Sequence, residues 1–249
     1  MKLTWHIVVK DARRLWLPLA LWAVLLTLKH GVDWRLLHVV TEDVAWMQRM
    51  KGFAIMLAGL GFFVGYILAA ALVKEDAPTG TTGFWMTRPV SGARLLGAKL
   101  LGCAVLLGAL PVLVALPWWL AGGRSGWEIL SAAREMVWWQ AWTVAPAVVV
   151  AALTQSSGWF LAWTLTFQVA GTWAFGYWQS AGWRLMRTIS AAGGSAPAEL
   201  KLALVSALLG PAAAVVVQYL TRRTRVSVAI LGVTLAGALA IAARALSQA

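Results

Sequence analysis

Two long apolar runs of this chain are separated by residues 73–100, VKEDAPTGTTGFWMTRPVSGARLLGAKL. Pro78, Gly80 and Gly83 favour turns in the first half of this stretch over one continuous helix. Its aromatic middle predicts a short amphipathic helix, and Ser91 is a residue type that caps the start of a new helix. We therefore predict a connection at the membrane surface that enters an apolar helix after Ser91.

The composition indicates a membrane protein. Hydrophobic residues make up 61% of the 249 residues, charged residues make up 12%, and the mean hydropathy is +0.75. The 21 Lys and Arg residues outnumber the 9 Asp and Glu residues, but they are scattered between apolar runs and form no dense patch. Scattered cations fit contact with lipid headgroups. We therefore predict a lipid bilayer as the surroundings and no nucleic acid as a partner.

Apolar runs recur along the whole chain at lengths that suit membrane helices. Crossing a bilayer takes about 20 mainly apolar residues. The predicted fold is therefore all-α, a polytopic transmembrane helix bundle of six to seven spans in a single domain. Residues 1–14 mix basic and apolar side chains, which predicts a helix that lies in the membrane interface. The predicted spans lie near residues 15–32, 52–73, 95–120, 136–153, 159–178, 200–220 and 226–243.

The connections between these spans are predicted from their polar residues. Residues 31–51 are expected to form a connecting segment with a surface helix, and residues 122–135 are expected to form a loop. Residues 221–225, TRRTR, are expected to form a tight hairpin turn between the last two spans. Clusters of Lys and Arg favour the cytoplasm. The total number of Lys and Arg is nearly equal on the two sides and does not decide the orientation. The dense clusters in the N-terminal residues and in the hairpin turn favour the inside for both, which with seven spans leaves Ala249 outside.

The polar stretch at residues 73–100 also presents residue types in a particular order. An acidic pair is followed by Gly-Thr, an aromatic pair, Arg-Pro, a small polar residue and a lysine that enters the next apolar run. In this order, and in its pattern of spans, the chain resembles the permease subunits of ABC-2-type transporters. The residues that carry the resemblance are Glu75, Asp76, Gly80, Thr81, Phe84, Trp85, Arg88, Pro89, Ser91 and Lys99.

The resemblance implies a function for this stretch. In that family the loop after the second span forms a coupling helix that docks on a separate ABC ATPase subunit. Residues 74–94 are then a cytoplasmic coupling loop, and the first eight residues named above make the coupling contacts. The family usually has six spans, so the apolar run at residues 226–243 departs from its pattern.

The resemblance also implies partners and a location. The chain would be a multi-pass protein of the cell membrane, the cytoplasmic or inner one, and would work with a second permease subunit, identical or different. Export is the expected direction of transport. ATP and Mg²⁺ would be bound by the partner ATPase, and no cofactor is expected in this chain.

Two other interpretations stay open from the sequence. Residues 73–100 are also what an ordinary polar connection between two spans would contain. The chain as a whole is compatible with a non-transporting membrane scaffold or assembly subunit. A neighbouring gene for an ATPase with a phosphate-binding loop would favour the transporter.

Motifs for catalysis are absent from the sequence. There is no G-x-x-x-x-G-K-[ST] to cradle phosphate, so ATP hydrolysis is expected in a partner and the chain is not predicted to be an enzyme. His6, His30 and His38 lack metal-ligand spacing and Cys103 is the single thiol, so no metal site is predicted. The acidic residues fall in predicted loops or span ends, which disfavours a carrier that is driven by ions on its own.

Glycine and tryptophan supply the remaining candidate residues. Gly61 and Gly65 are four residues apart in one span, a spacing that lets helices approach closely at a dimer seam or within one subunit. Most of the 17 tryptophans fall at predicted span ends, where the indole ring anchors in the headgroup zone. Trp163 and Trp173 lie in the middle of a predicted span. They are the candidates for an aromatic-lined path for an apolar or cationic substrate.

Overall fold

A computed structural model describes residues 2–38, 43–75, 91–154, 156, 158–166 and 198–247. Within these ranges every regular element is a helix and none is a strand. The prediction of an all-α fold is therefore confirmed for the part of the chain that is described. The elements are α1 (Lys2–Arg14), α2 (Trp16–His38), α3 (Val44–Lys74), α4 (Gly92–Gly102), a π-helical stretch (Cys103–Ala109), α5 (Leu110–Ala121), α6 (Gly126–Leu153), α7 (described over 158–166), α8 (Ala198–Thr221) and α9 (Thr224–Ser247).

The described residues belong to two compact units. The first unit contains α1, α2, α3, nearly all of α4, the π-helical stretch, α5 and most of α6. The second unit contains the last residues of α6 together with α7, α8 and α9. Within the central stretch at 73–100, the described residues 73–75 and 94–100 belong to the first unit, and residues 91–93 belong to the second.

A sharp bend separates α1 from α2. The two helices meet at 72°, and Pro18 lies in the first turn of α2. Proline has no N–H to donate to the carbonyl of Arg14, so the hydrogen-bond ladder is interrupted at the bend. Together the two helices are long and apolar enough to count as one broken span. The interfacial position of residues 1–14 stays a prediction.

The helices on either side extend into the predicted connection at residues 31–51. Helix α2 continues to His38, and α3 begins at Val44. Residues 31–38 contain no proline, and Lys29 pairs with Asp33 one turn on, at 2.8 Å, which supports the helix. Asp43 caps α3, because its carboxylate accepts a hydrogen bond from the backbone N–H of Trp46 at 2.9 Å.

The span predicted at residues 95–120 is confirmed as one long apolar helical run, Gly92–Ala121, which contains a π-helical stretch. That stretch, Cys103–Ala109, ends just before Pro111. Pro111 cannot donate a hydrogen bond to the carbonyl of Leu107, and a wider turn at this point tolerates the missing bond. Pro111 therefore lies next to a local change of helix type.

The predicted loop at residues 122–135 is also corrected, because α6 begins at Gly126, ten residues before the predicted span. Ser125 and Glu128 form a reciprocal cap at its start. The Ser125 backbone N–H and hydroxyl donate to Glu128 Oε2 at 2.7 and 2.8 Å, and the Glu128 N–H donates to Ser125 Oγ at 3.4 Å. This Ser-x-x-Glu arrangement is a known start signal for a helix, and it decides the boundary here.

Helices α8 and α9 form a hairpin in the second unit. Arg222 and Arg223 connect them, and Arg222 has a left-handed backbone with φ of +58°. Its N–H donates to the carbonyl of Gln218 at 2.9 Å, and the Gln218 side chain donates to the Thr224 hydroxyl at 3.1 Å. The basic TRRTR sequence therefore forms a tight helical hairpin turn, as its pattern predicted.

Four described helices are long and apolar enough to cross a membrane, or five if α1 and α2 together form one bent span. Helix α8 is apolar over Val205–Thr221 and falls short of that length, and the predicted span at 159–178 is described only as far as residue 166. The described residues thus support a membrane-embedded bundle of four to five spans, and the count of six to seven stays a prediction. The four helical runs are Val44–Lys74, Gly92–Ala121, Gly126–Leu153 and Thr224–Arg244.

Candidate functional site

Charged side chains from three elements of the first unit meet beside the central stretch, and we call them the ionic cluster. Each carboxylate of the cluster has an oxygen within 4.0 Å of the side-chain nitrogens of at least two basic residues of the cluster. One acid and two bases lie on α1, one acid follows α3 directly, and one base lies on α4. The members are Lys10, Asp11, Arg14, Glu75 and Lys99.

The pair of Asp11 and Lys99 is the buried part of the ionic cluster. Lys99 Nζ donates to Asp11 Oδ2 at 2.8 Å, and the two side chains are 1% and 2% exposed, in that order. Removing two charges from water costs several kcal/mol per ion, roughly, and is compensated only when the partners stay in close contact. The pair therefore holds α1 against α4, since separation would break the hydrogen bond between two buried charges.

Glu75 is the outer part of the ionic cluster. Arg14 Nη1 donates to its Oε1 at 2.7 Å, and Lys10 Nζ lies 3.5 Å from the same oxygen. The Arg14 side chain is 69% exposed, so this contact contributes little to stability by itself. Its effect is positional, because it joins α1 to the residue that directly follows α3.

The ionic cluster ties α1 to both sides of the segment at residues 76–90. Glu75 precedes this segment, and Lys99 follows it on α4. Both contacts reach the same helix, where Asp11 and Arg14 lie three residues apart on one face. Helix α1 therefore resists the displacement of Glu75 on one side of the segment and of Lys99 on the other.

The predicted coupling residues lie mainly beyond the described ranges. Glu75 is described, and its carboxylate is bound within the chain by the cations of α1. Sequence reasoning gave Asp11 no role, because its partner Lys99 is 88 positions away and no local pattern joins them. The coupling residues outside the described part of the chain are Asp76, Gly80, Thr81, Phe84, Trp85, Arg88 and Pro89.

Gly61 and Gly65 lie where α3 packs on α2 of the same chain. Trp22 of α2 is fully buried, and its Nε1 donates to the Gly61 carbonyl at 2.8 Å. A methyl group added at Gly65 would lie 3.2 Å from Trp22 Cζ2, and one at Gly61 would lie 3.5 Å from Leu26 Cδ2. Gly65 therefore makes room for the indole ring, whereas Gly61 accepts its hydrogen bond and faces Leu26 at ordinary contact distance. This is the arrangement within one subunit that the spacing also allowed.

We expect Gly65→Val to lower the free energy of unfolding by about 1 to 3 kcal/mol, because the added methyl groups overlap the fixed Trp22 ring. Gly59 on the same helix is the matched control, since nothing lies within 4 Å of a Cβ built there. Denaturation of the purified chain in detergent, followed by tryptophan fluorescence, measures both variants. Equal stability of Gly65→Val and Gly59→Val would show that the packing of Trp22 is not tight.

A cavity of about 770 Å³ lies in the first unit, between α2, α3, α5 and α6. On α6 its lining residues recur at helical spacing and so share one face. These residues are Ala132, Glu135, Met136, Trp139 and Gln140. The opposite wall comes from the C-terminal half of α2 and from α3 and α5, with Gly61 and Pro111 among its residues.

The polar groups of this cavity are partly paired. Lys29 and Asp33 neutralise one another at 2.8 Å. Arg124 and Glu135 also line the cavity and are exposed. Neither of these two has an ion-pair partner within 4.0 Å among the side chains that the structure describes. The cavity therefore offers one cation and one anion to a ligand.

Aromatic rings make up much of the remaining cavity wall. The rings of Trp34 and Trp118 have centroids 6.0 Å apart, and the His38 ring stacks on Trp34 at 3.9 Å. The tryptophans proposed for a substrate path are not in this wall. Trp163 lies on α7 in the second unit with 46% of its surface exposed. Trp173 lies outside the described residues.

Comparisons with known proteins give no family assignment. No family model matches this chain, and no curated protein or solved structure matches it. The described residues contain no group of three or more His, Cys, Asp or Glu side chains that could hold a metal ion. The ionic cluster, the cavity and the order of residue types in the central stretch are the features of this chain that bear on its function.

Proposed function

We propose that this chain is the permease subunit of an ABC-2-type, ATP-driven transporter, and that residues 74–94 couple it to a separate ATPase subunit. The observation that supports the coupling role best is the ionic cluster, which joins α1 to Glu75, directly before the segment at 76–90, and to Lys99, on the helix that follows the segment. Asp11 and Lys99 are buried in contact with one another, and the Glu75 side chain is 11% exposed and bound by Lys10 and Arg14. An ordinary polar connection needs no such contacts on both of its sides.

The ionic cluster suits the transmission of a displacement. ATP binding draws two ATPase subunits together and moves the docked coupling loop. Glu75 passes that displacement to α1 through Arg14, at 2.7 Å. Lys99 lies seven residues after Gly92, about 10 Å along the helix at 1.5 Å per residue, and there the buried pair with Asp11 passes the displacement between α1 and α4. The helices α1, α3 and α4 then move together.

The remaining parts of the transporter come from other subunits. The ATPase binds ATP and Mg²⁺, and its docking surface receives the coupling loop on the cytoplasmic side of the cell membrane. A second permease subunit, identical or different, completes the translocation path. Export is the direction that we propose.

Substitution of Trp85 or Arg88 by alanine tests the coupling role. Docking surfaces depend on a few anchors, and Trp and Arg are enriched among them. We expect each variant to weaken co-purification with the partner ATPase subunit by about tenfold, as the loss of one anchor worth about 1.4 kcal/mol would predict. Affinity pull-down of the tagged chain from membranes measures the ratio of the two proteins.

Trp127→Ala and Arg134→Ala are the matched controls for this test. Both residues are exposed on α6, and both are far in sequence from the coupling loop. They should retain the ATPase at the wild-type ratio. Retention of the ATPase by Trp85→Ala and Arg88→Ala as well would remove the coupling role, and a scaffold subunit would then be the better interpretation.

A further inference from the structure

We propose that the cavity between α2, α3, α5 and α6 binds the headgroup of a zwitterionic phospholipid with a primary ammonium group. The inference goes beyond the proposed function, because binding needs neither the ATPase nor a second permease subunit. Whether the bound lipid is also carried across the membrane rests on the proposed function. The binding site itself is assigned from the charges, aromatic rings and apolar surface of the first unit.

The charge pattern of the cavity matches a zwitterion. Arg124 presents a planar guanidinium, which suits a phosphate, and Glu135 presents a carboxylate, which suits an ammonium. Glu128, four residues after Arg124, interacts with that cation at longer range than an ion pair, and its carboxylate accepts hydrogen bonds from Ser125 instead. Lys29 and Asp33 cancel one another, so the two unpaired charges decide which headgroup fits. A headgroup with only a phosphate would use Arg124 and leave Glu135 without a partner.

The carboxylate of Glu135 favours a ligand that donates hydrogen bonds, because an ionised carboxylate only accepts them. Gln140 also lines the cavity, but its side-chain oxygen is buried 3.8 Å from a Cβ built on Gly65 of α3 and does not face the headgroup. A primary ammonium has N–H groups to donate, whereas a quaternary ammonium has none. This distinction favours ethanolamine over choline.

The surroundings of the cavity favour a lipid over a soluble zwitterion. Four lining tryptophans, Trp34, Trp118, Trp119 and Trp139, are of the type that anchors at headgroup depth. Leu37 and Phe62 also line the cavity and are 76% and 40% exposed, so they offer an apolar surface next to the polar groups. Acyl chains can lie on that surface while the headgroup enters the cavity. A soluble ligand would leave it in contact with the bilayer.

Native mass spectrometry of the purified full chain tests this assignment. Samples are equilibrated in micelles that contain either phosphatidylethanolamine or phosphatidylglycerol, and the retained lipid is counted. We expect phosphatidylethanolamine to be retained at least tenfold more tightly, since it can contact both charges. Arg124→Gln should weaken both lipids about tenfold, because both have a phosphate. Glu135→Gln should weaken only phosphatidylethanolamine, and so remove the preference between the two.

Arg134→Gln is the matched control, because Arg134 is exposed on α6 and does not line the cavity. It should keep wild-type retention of both lipids. Equal losses in Arg134→Gln and Arg124→Gln, or an unchanged lipid preference in Glu135→Gln, would overturn the site. Glycerophosphoethanolamine, the headgroup without acyl chains, should compete at least tenfold more weakly than the lipid. Competition at equal strength would overturn the assignment to a lipid.

The outcome is independent of the test of the coupling role. Loss of the headgroup preference, together with release of the ATPase by Trp85→Ala, would remove the lipid site and leave the proposed function intact. Retention of the ATPase by Trp85→Ala, together with the expected lipid preference, would remove the coupling role and leave the lipid site intact.

Discussion

We expect Lys99→Met to lower the free energy of unfolding by about 3 to 5 kcal/mol, because it leaves one charge of a buried ion pair without its partner. Asp11 is 1% exposed and accepts a hydrogen bond from Lys99 at 2.8 Å. Methionine keeps the unbranched apolar stem of lysine, so little packing is lost. Lys10 stays 3.7 Å from the other oxygen of Asp11 and does not replace the lost hydrogen bond. Unfolding of the purified chain in mixed micelles of detergent and dodecyl sulfate measures the change.

The double variant Asp11→Leu/Lys99→Met separates the charge effect from packing. Replacing both partners of a buried pair by apolar side chains is often neutral or stabilising, so the double variant should recover most of the loss. Lys29→Met is the matched control, because it breaks a pair of the same 2.8 Å length whose side chains are 29% and 37% exposed. Its expected cost is below about 1 kcal/mol. Similar costs for Lys99→Met and Lys29→Met would contradict the burial of the first pair.

Gly210→Ala is expected to lower the free energy of unfolding by about 3 kcal/mol or more, because the added methyl group overlaps an atom that cannot move aside. A Cβ at Gly210 would overlap the Cβ and hydroxyl of Thr234 on α9. The Thr234 hydroxyl donates to the Ile230 carbonyl at 2.8 Å, which holds that side chain in place. The hairpin of α8 and α9 must then open. The gain in helix propensity from glycine to alanine, about 1 kcal/mol, is too small to offset this.

Two further variants test the contact between Gly210 and Thr234. Gly232→Ala on α9 should be neutral or stabilising, since nothing lies within 4 Å of a Cβ built there. The exchange Gly210→Ala/Thr234→Gly moves the side chain from one helix to the other and should recover much of the stability. No recovery in the exchange would mean that Gly210→Ala acts on something other than the close approach of the two helices. The same denaturation measurement serves all three variants.

The sequence predicted the helical membrane bundle and several of its elements, because long apolar runs have few alternatives. The hairpin at TRRTR and the run at Gly92–Ala121 were predicted from local composition alone. The starts of α3 and α6 were predicted too late. In both cases a polar sequence was interpreted as a loop although it carried a helix-capping residue, Asp43 or Ser125. Polar residues at a helix start satisfy the free N–H groups there, so a polar stretch of sequence can mark a helix boundary as well as a loop.

The candidate sites were predicted less completely than the fold. Glu75 was singled out from the central stretch, but its partners Lys10 and Arg14 were not, since contact between them requires the bend between α1 and α2. The cavity was not predicted either. Its walls come from four helices, and no spacing along the sequence shows that Glu135 and Arg124 line the same space. Contacts of this kind are set by tertiary packing.

The π-helical stretch has a consequence for the angular register of the span that contains it. Buried residues recur every fourth position on this span, and an α-helix of 3.6 residues per turn would rotate such a series by about 40° at each step. Over the five steps the first and last side chains would face nearly opposite directions. The wider turns of the π-helical stretch absorb part of that rotation and keep the series inward. Insertion or deletion of one residue in the π-helical stretch would rotate Lys99 and Trp119 relative to one another. It would disturb the ionic cluster or the cavity, although the changed position belongs to neither. The buried series is Lys99, Cys103, Leu107, Pro111, Ala115 and Trp119.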